Sequence, residues 1–247
     1  MFRSLLSAAS SLCLFCQTAE AATVNIPALR DTTLYESAEG TLANGLGAYL
    51  FTGATNSAGL RRSLLAFDVS AVIPAGAFIV SAELRLFQSR TRAGNESLSL
   101  HKMTRAWVEG TTIDTSTGGS GAALIGSDAT WRHASAPASL WTAPGAQGDY
   151  LTSASSTSMV SGSVGTFTWT GLAPDVATWL ATPGSNHGWI LIGNENGLGN
   201  ASRFNSAQFS DSTLRPALFV EFIPVPEPGS ACALAAAAVL LHIRRRR

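Results

Sequence analysis

The chain has 247 residues, with 16 basic and 16 acidic side chains, so it lacks the strongly basic balance expected of a nucleic-acid partner. Its three cysteines, Cys13, Cys16 and Cys232, all sit in terminal apolar stretches, which excludes a disulfide-stapled domain between them.

The N-terminus reads as an export signal. Met1-Phe2-Arg3 is a one-charge start, Leu5 to Phe15 is a short apolar run, and Ala19-Glu20-Ala21 supplies small residues at the −3 and −1 positions of a signal-peptidase site. Without Arg3, Glu20, Glu227 and Arg244 to Arg247, eleven basic and fourteen acidic residues remain, a net charge near −3.

From Thr23 to Ile223 the pattern is short apolar or alternating runs broken by Gly, Pro, Asn and Ser, which predicts strands and turns in one domain. The expected strands, in chain order, are Thr23–Ile26, Thr33–Tyr35, Gly47–Phe51, Ser63–Phe67, Ile79–Phe87 and Ser97–Met103, then Gly165–Thr170, Gly188–Ile192, Arg203–Phe204 and Ala217–Phe222. Ala82, Leu84 and Leu86 alternate with Glu83 and Arg85, and Leu98 and Leu100 alternate with Ser97, Ser99 and His101, as in half-buried strands. Trp189-Ile190-Leu191-Ile192 has no polar alternation and predicts a central strand covered on both faces. One helix is expected at Ala173 to Ala181, with Pro174 and Asp175 in its first turn and Pro183 to stop it. Gly110 to Gly162 reads as a long loop system anchored by Trp131 and Trp141.

The C-terminus carries a second address. Pro226-Glu227-Pro228-Gly229 precedes an apolar stretch from Ser230 to Ile243, and Arg244, Arg245, Arg246 and Arg247 close the chain. The apolar stretch is shorter than the roughly 20 residues of a comfortable membrane span, and terminal arginines favour the cytoplasmic side. This order resembles the PEP-CTERM sorting signal of Gram-negative bacteria. The resemblance implies transient insertion in the inner membrane, cleavage near Pro226-Glu227-Pro228 by an exosortase-type protease, and delivery to the cell surface or extracellular matrix. A C-terminal anchor that stays in place is the plain alternative.

A second resemblance spans residues 24 to 223. Asp31-Thr32-Thr33-Leu34-Tyr35-Glu36 and Arg62-Ser63-Leu64-Leu65-Ala66-Phe67-Asp68-Val69 are similar to the opening strands of the DNRLRE family. Ser81-Ala82-Glu83-Leu84-Arg85-Leu86, Trp107-Val108-Glu109-Gly110-Thr111, Asp175-Val176-Ala177-Thr178-Trp179-Leu180 and Asn186-His187-Gly188-Trp189 continue the match. The resemblance implies an all-β, jelly-roll-like antiparallel sandwich, used as an accessory module and related to alginate-binding carbohydrate-binding modules. Three segments follow: a signal peptide over 1–21, the sandwich over 22–223 and the sorting signal over 224–247. Where relatives often show Phe-x-Ser-Arg-Glu, Phe204-Asn205-Ser206-Ala207-Gln208 has lost both charges.

For chemistry the chain offers a binding surface more than a reaction centre. Ser63 and Ser206 lack a nucleophile context, and His101, His133 and His187 have no zinc spacing, so no enzyme activity and no catalytic residue are expected. No cofactor is expected, with Asp31, Glu36 and Glu39 as weak candidates for structural calcium against the plainer reading of a solvated acidic patch. From Arg61 to Arg105 the chain holds seven basic residues and three acids. A face built from Arg62, Arg85, Arg90, Arg92 and Lys102 would suit an anionic extracellular polysaccharide, because arginine forks match carboxylates. Trp131 and Trp141 are the candidates for stacking on neutral sugar rings. Two functions stay open at this point: a polysaccharide-binding module, and a structural envelope protein with no sugar site.

Overall fold

The computed structural model describes residues 20–225; the expectations at Ala19, at Pro226, Glu227 and Pro228, and at Arg244 to Arg247 lie outside them, and Ala21 is exposed immediately before the first strand. In chain order the strands are β1 (Ala22–Pro27), β2 (Arg30–Tyr35), β3 (Leu42–Ala43), β4 (Tyr49–Ala54), β5 (Leu60–Ala66), β6 (Phe78–Thr91) and β7 (Glu96–Lys102). The long connection that follows contributes β8 (Ala122–Ala123), β9 (His133–Ser135), β10 (Ser139–Leu140) and β11 (Ser156–Val160). Then come β12 (Gly165–Trp169), helix α1 (Ala173–Ala181), β13 (Trp189–Ile192), β14 (Ser202–Asn205) and β15 (Ala217–Ile223).

Eleven of these strands form one curled antiparallel sheet with the path β1-β15-β6-β14-β4-β5-β13-β7-β11, while β12 also pairs with β6 and β2 with β5. The fold is therefore all-β and sandwich-like, and Ala21 to Pro224 make one compact unit. The curl happens at β4. Its first residues pair with β14, from Tyr49 to Thr52, and its last two, Gly53 and Ala54, pair with β5. Gly53 makes the change of partner with φ of +104°, a conformation that side chains disfavour. A Cβ on Gly193 would lie 3.0 Å from the Gly53 backbone, so this crossing also needs a bare residue opposite.

Alternation fills the inside. Ala82, Leu84 and Leu86 of β6 meet Leu98 and Leu100 of β7, Leu65 of β5, and Val176, Trp179 and Leu180 of α1 in one buried cluster. Trp169 of β12 donates from Nε1 to the Leu98 carbonyl of β7 at 3.0 Å, which ties the two layers and satisfies its own N–H. Trp189 packs against Trp179 with ring centroids 4.3 Å apart and planes inclined by 58°, and it donates to Asp175 Oδ2 at 2.8 Å. Full burial of such a side chain contributes about 2–3 kcal/mol.

The sheet around β5 and β13 has a second core on its outer face. Leu34, Leu64 and Ile190 point there and are covered by Met103, Trp107, Trp131 and Trp141 from the long connection. Trp189 and Leu191 point into the first core. The unbroken apolar run at β13 thus matches a strand covered on both sides. The stretch expected as loop from Gly110 to Gly162 is a lid over this face. Its own strands β8, β9 and β10 are two or three residues long, and only β11 joins the main sheet.

Candidate functional site

Where β4 crosses the seam, the outer surface opens into a groove of about 440 Å³. Its floor is a cross-strand row. Phe51 of β4 stands opposite Arg203 of β14, and Arg203 stands opposite Arg90 of β6. Strict alternation from Leu84, Leu86 and Gln88, all buried, would turn Arg90 into the core. A register shift opposite Arg203 and Phe204 places Ser89 and Arg90 together against Arg203, and Arg90 is exposed. Such a bulge re-aims a side chain at the cost of one ladder position.

Arg61 of β5 and Arg92, just beyond β6, complete a basic wall. Arg61 is only 8% exposed. Its Nε donates to the Gly119 carbonyl at 3.3 Å and its Nη1 to the Leu60 carbonyl at 2.8 Å, while its guanidinium lies 4.9 Å from the Tyr35 ring centre. Arg203 donates from Nε to Ser89 Oγ at 3.0 Å and stacks 3.9 Å over the Tyr49 ring. Burial pulls both guanidinium groups below their ordinary pKa range, and the charge of Arg90 adds to that at Arg203. Both stay charged, since an arginine does not lose its proton in proteins.

Among the described residues no carboxylate lines the groove. The five ion pairs among the described residues involve Arg62, Arg85, Lys102, Arg105 and Arg132, and none of the four groove arginines. The groove arginines are held instead by carbonyls, hydroxyls and aromatic faces, which orient them without neutralising them. Gly118 and Gly119 run beside the Phe51 ring, where a Cβ on either would sit 3.2 or 3.6 Å from it; this half-buried ring has no side chain laid over it from that loop. The arrangement offers flat apolar contact on Phe51 and several cationic forks above it, with Asn56, Ser57 and Ser120 as neutral polar partners.

The structure divides the five cations expected on one face. Arg90 and Arg92 line the groove. Arg62 does not. It points to the outer core, pairs with Glu195 through bonds of 2.7 and 2.8 Å, donates to the Gly145 carbonyl at 2.6 Å and lies over Trp131. Lys102 pairs with Asp175 at 3.0 Å on the rim of the helix. Arg85 lies on the outer face of β6, paired with Glu83 and stacked 3.9 Å over Phe219 in a separate cleft. A single stripe is therefore replaced by a groove that adds Arg61 and Arg203 to Arg90 and Arg92.

Trp131 and Trp141 are not exposed platforms: they are 7% and 5% exposed, packed in the outer core, and Trp141 donates to the Thr130 carbonyl at 2.9 Å. Sugar stacking on these rings would require dismantling the lid. Asp31, Glu36 and Glu39 are likewise not brought together. Asp31 Oδ2 accepts from the Ala207 N–H at 2.7 Å, Glu36 accepts from the Leu60 N–H at 2.8 Å, and Glu39 stands 4.0 Å from Arg132. Among the described residues no group of three or more His, Cys, Asp or Glu is placed to hold a metal ion.

The uncharged segment after β14 has its own use. Gln208 Nε2 donates to Glu109 Oε1 at 3.1 Å, and the same oxygen accepts from the Asp31 N–H at 2.8 Å. Burial, and secondarily Glu109, push the Asp31 carboxyl well above its usual range; burial also raises Glu109. A neutral donor at 208 relieves a crowded pair of carboxylates. No protein-family model matches this sequence, and no curated protein matches it.

Proposed function

We propose that this chain is an exported, non-catalytic binding module that holds anionic extracellular polysaccharide in the groove of Arg61, Arg90, Arg92 and Arg203. The observation that carries the reading is that, among the described residues, none of these four cations forms an ion pair and no carboxylate lines the groove around the half-buried Phe51. Uncompensated guanidinium groups beside one another repel, and a polyanion supplies the missing charge through paired N–H···O bonds. A uronic-acid chain supplies carboxylates for the forks and a sugar face for Phe51. Nucleic acid is the poorer fit, because the folded region outside this surface is acidic.

The finer identity follows the same reading. The sandwich is a jelly-roll-like module of the DNRLRE type, and it travels with a signal peptide and a PEP-CTERM segment. Signal peptidase and an exosortase-type protease are its processing partners, and the cell surface or extracellular matrix of a Gram-negative bacterium is its destination.

Affinity-gel retention of the Ala21–Pro224 unit on alginate, pectin, chondroitin and a neutral glucan tests the reading. The expected result is retardation on acidic polymers that high salt relieves, lost in Arg90→Ala/Arg92→Ala, whose side chains lie outside the internal ion pairs. Salt-resistant retention on neutral glucan, or retention unchanged in the double variant, would overturn it. No retention on any polymer would favour a structural envelope protein instead.

A further inference from the structure

A second cleft of about 310 Å³ lies on the same outer surface, lined by Arg85, Arg215, Phe87, Phe219, Asn25 and Thr166 among others. Its relation to the groove follows from the alternation of β6. Leu84, Leu86 and Gln88 are buried, so Arg85, Phe87 and Ser89 project from the opposite face. Phe87 belongs to the cleft, whereas Ser89 accepts the hydrogen bond from Arg203 of the groove. The two sites thus meet within two residues on one strand face. Arg85 and Arg90 are five residues apart, about 16 Å along an extended strand and somewhat less across the bulge.

The two sites share a motif and differ in charge balance, since Arg85 of the cleft pairs with Glu83, and Asp211 caps the short turn that Arg215 closes. Each has an aromatic ring beneath a guanidinium: Arg203 lies 3.9 Å over Tyr49, and Arg85 lies 3.9 Å over Phe219. Each is lined by neutral hydroxyl and amide side chains, and neither lining includes a carboxylate. Glu83 pairs with Arg85 beside the cleft and fixes its fork over Phe219. Arg215 is half-buried, with Nε donating to the Phe209 carbonyl at 2.6 Å, which holds its guanidinium at the cleft wall.

We infer that the cleft is a second subsite for the same polymer, so that one anionic glycan chain runs along the outer face of β6 from Arg90 and Arg203 to Arg85 and Arg215. This rests on the anionic-glycan reading of the groove. Occupancy of the first site would make the second encounter intramolecular, and affinity would rise steeply once an oligomer is long enough to reach both.

Calorimetric titration with oligogalacturonides and oligomannuronates of increasing length tests the inference. Short oligomers are expected to bind the groove weakly and equally in the wild type and in Arg85→Ala/Arg215→Ala. Longer ones are expected to bind the wild type on the order of 10-fold tighter or more, with that step absent from the double variant. Arg85→Ala alone, which leaves the Arg215 hydrogen bond intact, is expected to lose most of the step. Affinity that does not depend on length, or a step that survives in both variants, would overturn the second subsite while short-oligomer binding left the groove standing. Failure of every length to bind would overturn both.

Discussion

Arg90 and Arg203 are direct cross-strand partners, and among the described residues neither forms an ion pair with a carboxylate. Like charges placed opposite one another on a sheet cost stability. The bulge in β6 exposes Arg90 beside Arg203, where strict alternation would have buried it. A surface shaped only for stability would have a carboxylate or an amide at one of the two places.

Replacement of one partner should therefore stabilise the fold. Arg90→Gln is expected to raise the unfolding free energy by about 0.5 kcal/mol, measured by urea denaturation. Added salt should stabilise the wild type more than the variant, because screening relieves the repulsion that the variant lacks. Retention on acidic polysaccharide should fall in the same variant. A gain in stability with unchanged retention would separate the charge pair from binding.

Burial raises the Asp31 carboxyl well above its ordinary 3.8, so the folded protein holds a proton there to higher pH than the unfolded chain does. Stability from this group is full below the ordinary value and is lost as pH rises towards the raised one. Asp31→Asn removes the titration and can keep the bond from the Ala207 N–H through its amide oxygen. The variant should melt at a higher temperature than the wild type at neutral pH, and the difference should shrink or reverse as pH falls below 4. Thermal denaturation across that range checks both statements.

Arg62 and Trp131 are expected to matter for folding and to leave the groove alone. Glu195→Ala removes the ion-pair partner of the Arg62 guanidinium, whose side chain is 10% exposed, and leaves it the Gly145 carbonyl and the Trp131 face. The expected loss is about 3 kcal/mol. Trp131→Ala should cost about as much through the cavity it leaves in the outer core. In both variants, retention of the protein that remains folded should equal that of the wild type. Selective loss of retention at unchanged stability would return Arg62 or Trp131 to the binding surface.

Much of this fold is legible along the chain. The alternation at Leu84 and Leu86 and at Leu98 and Leu100 marks half-buried strands because one face of each meets the core. The run at Trp189 to Ile192 marks a strand buried twice, and Pro174 and Pro183 bracket the helix. The candidate site was harder to read for a physical reason. It exists only through register: Phe51, Arg203 and Arg90 come from three strands far apart in sequence, and no local pattern states which residues face one another. The bulge at Ser89 and Arg90 interrupts the very alternation on which a reading of faces depends.

The lid misleads in a different way. Its strands are too short to show a period, and its tryptophans, set among Ser, Thr and Gly, resemble exposed rings. They are instead the nails of a cover, and their targets, Leu34, Leu64 and Ile190, lie in distant parts of the chain. Arg62 shows the same effect for charge. A cation in a basic stretch is assigned to solvent by default, and only the fold reveals Glu195 beside it.

The change of partner within β4 has a mechanical consequence. Because one strand is stitched to β14 at its start and to β5 at its end, the two layers share a seam that cannot part without tearing that strand from one of them. The sandwich accordingly has no hinge at the place where a cleft between two layers would usually find one. Phe51 and Arg203 sit on that seam, so the groove cannot widen or close by a swing of one half against the other. Any adjustment to a bound polymer therefore falls to the loop residues of its walls, Asn56, Ser57 and Ser120 among them, while the strand floor keeps its register.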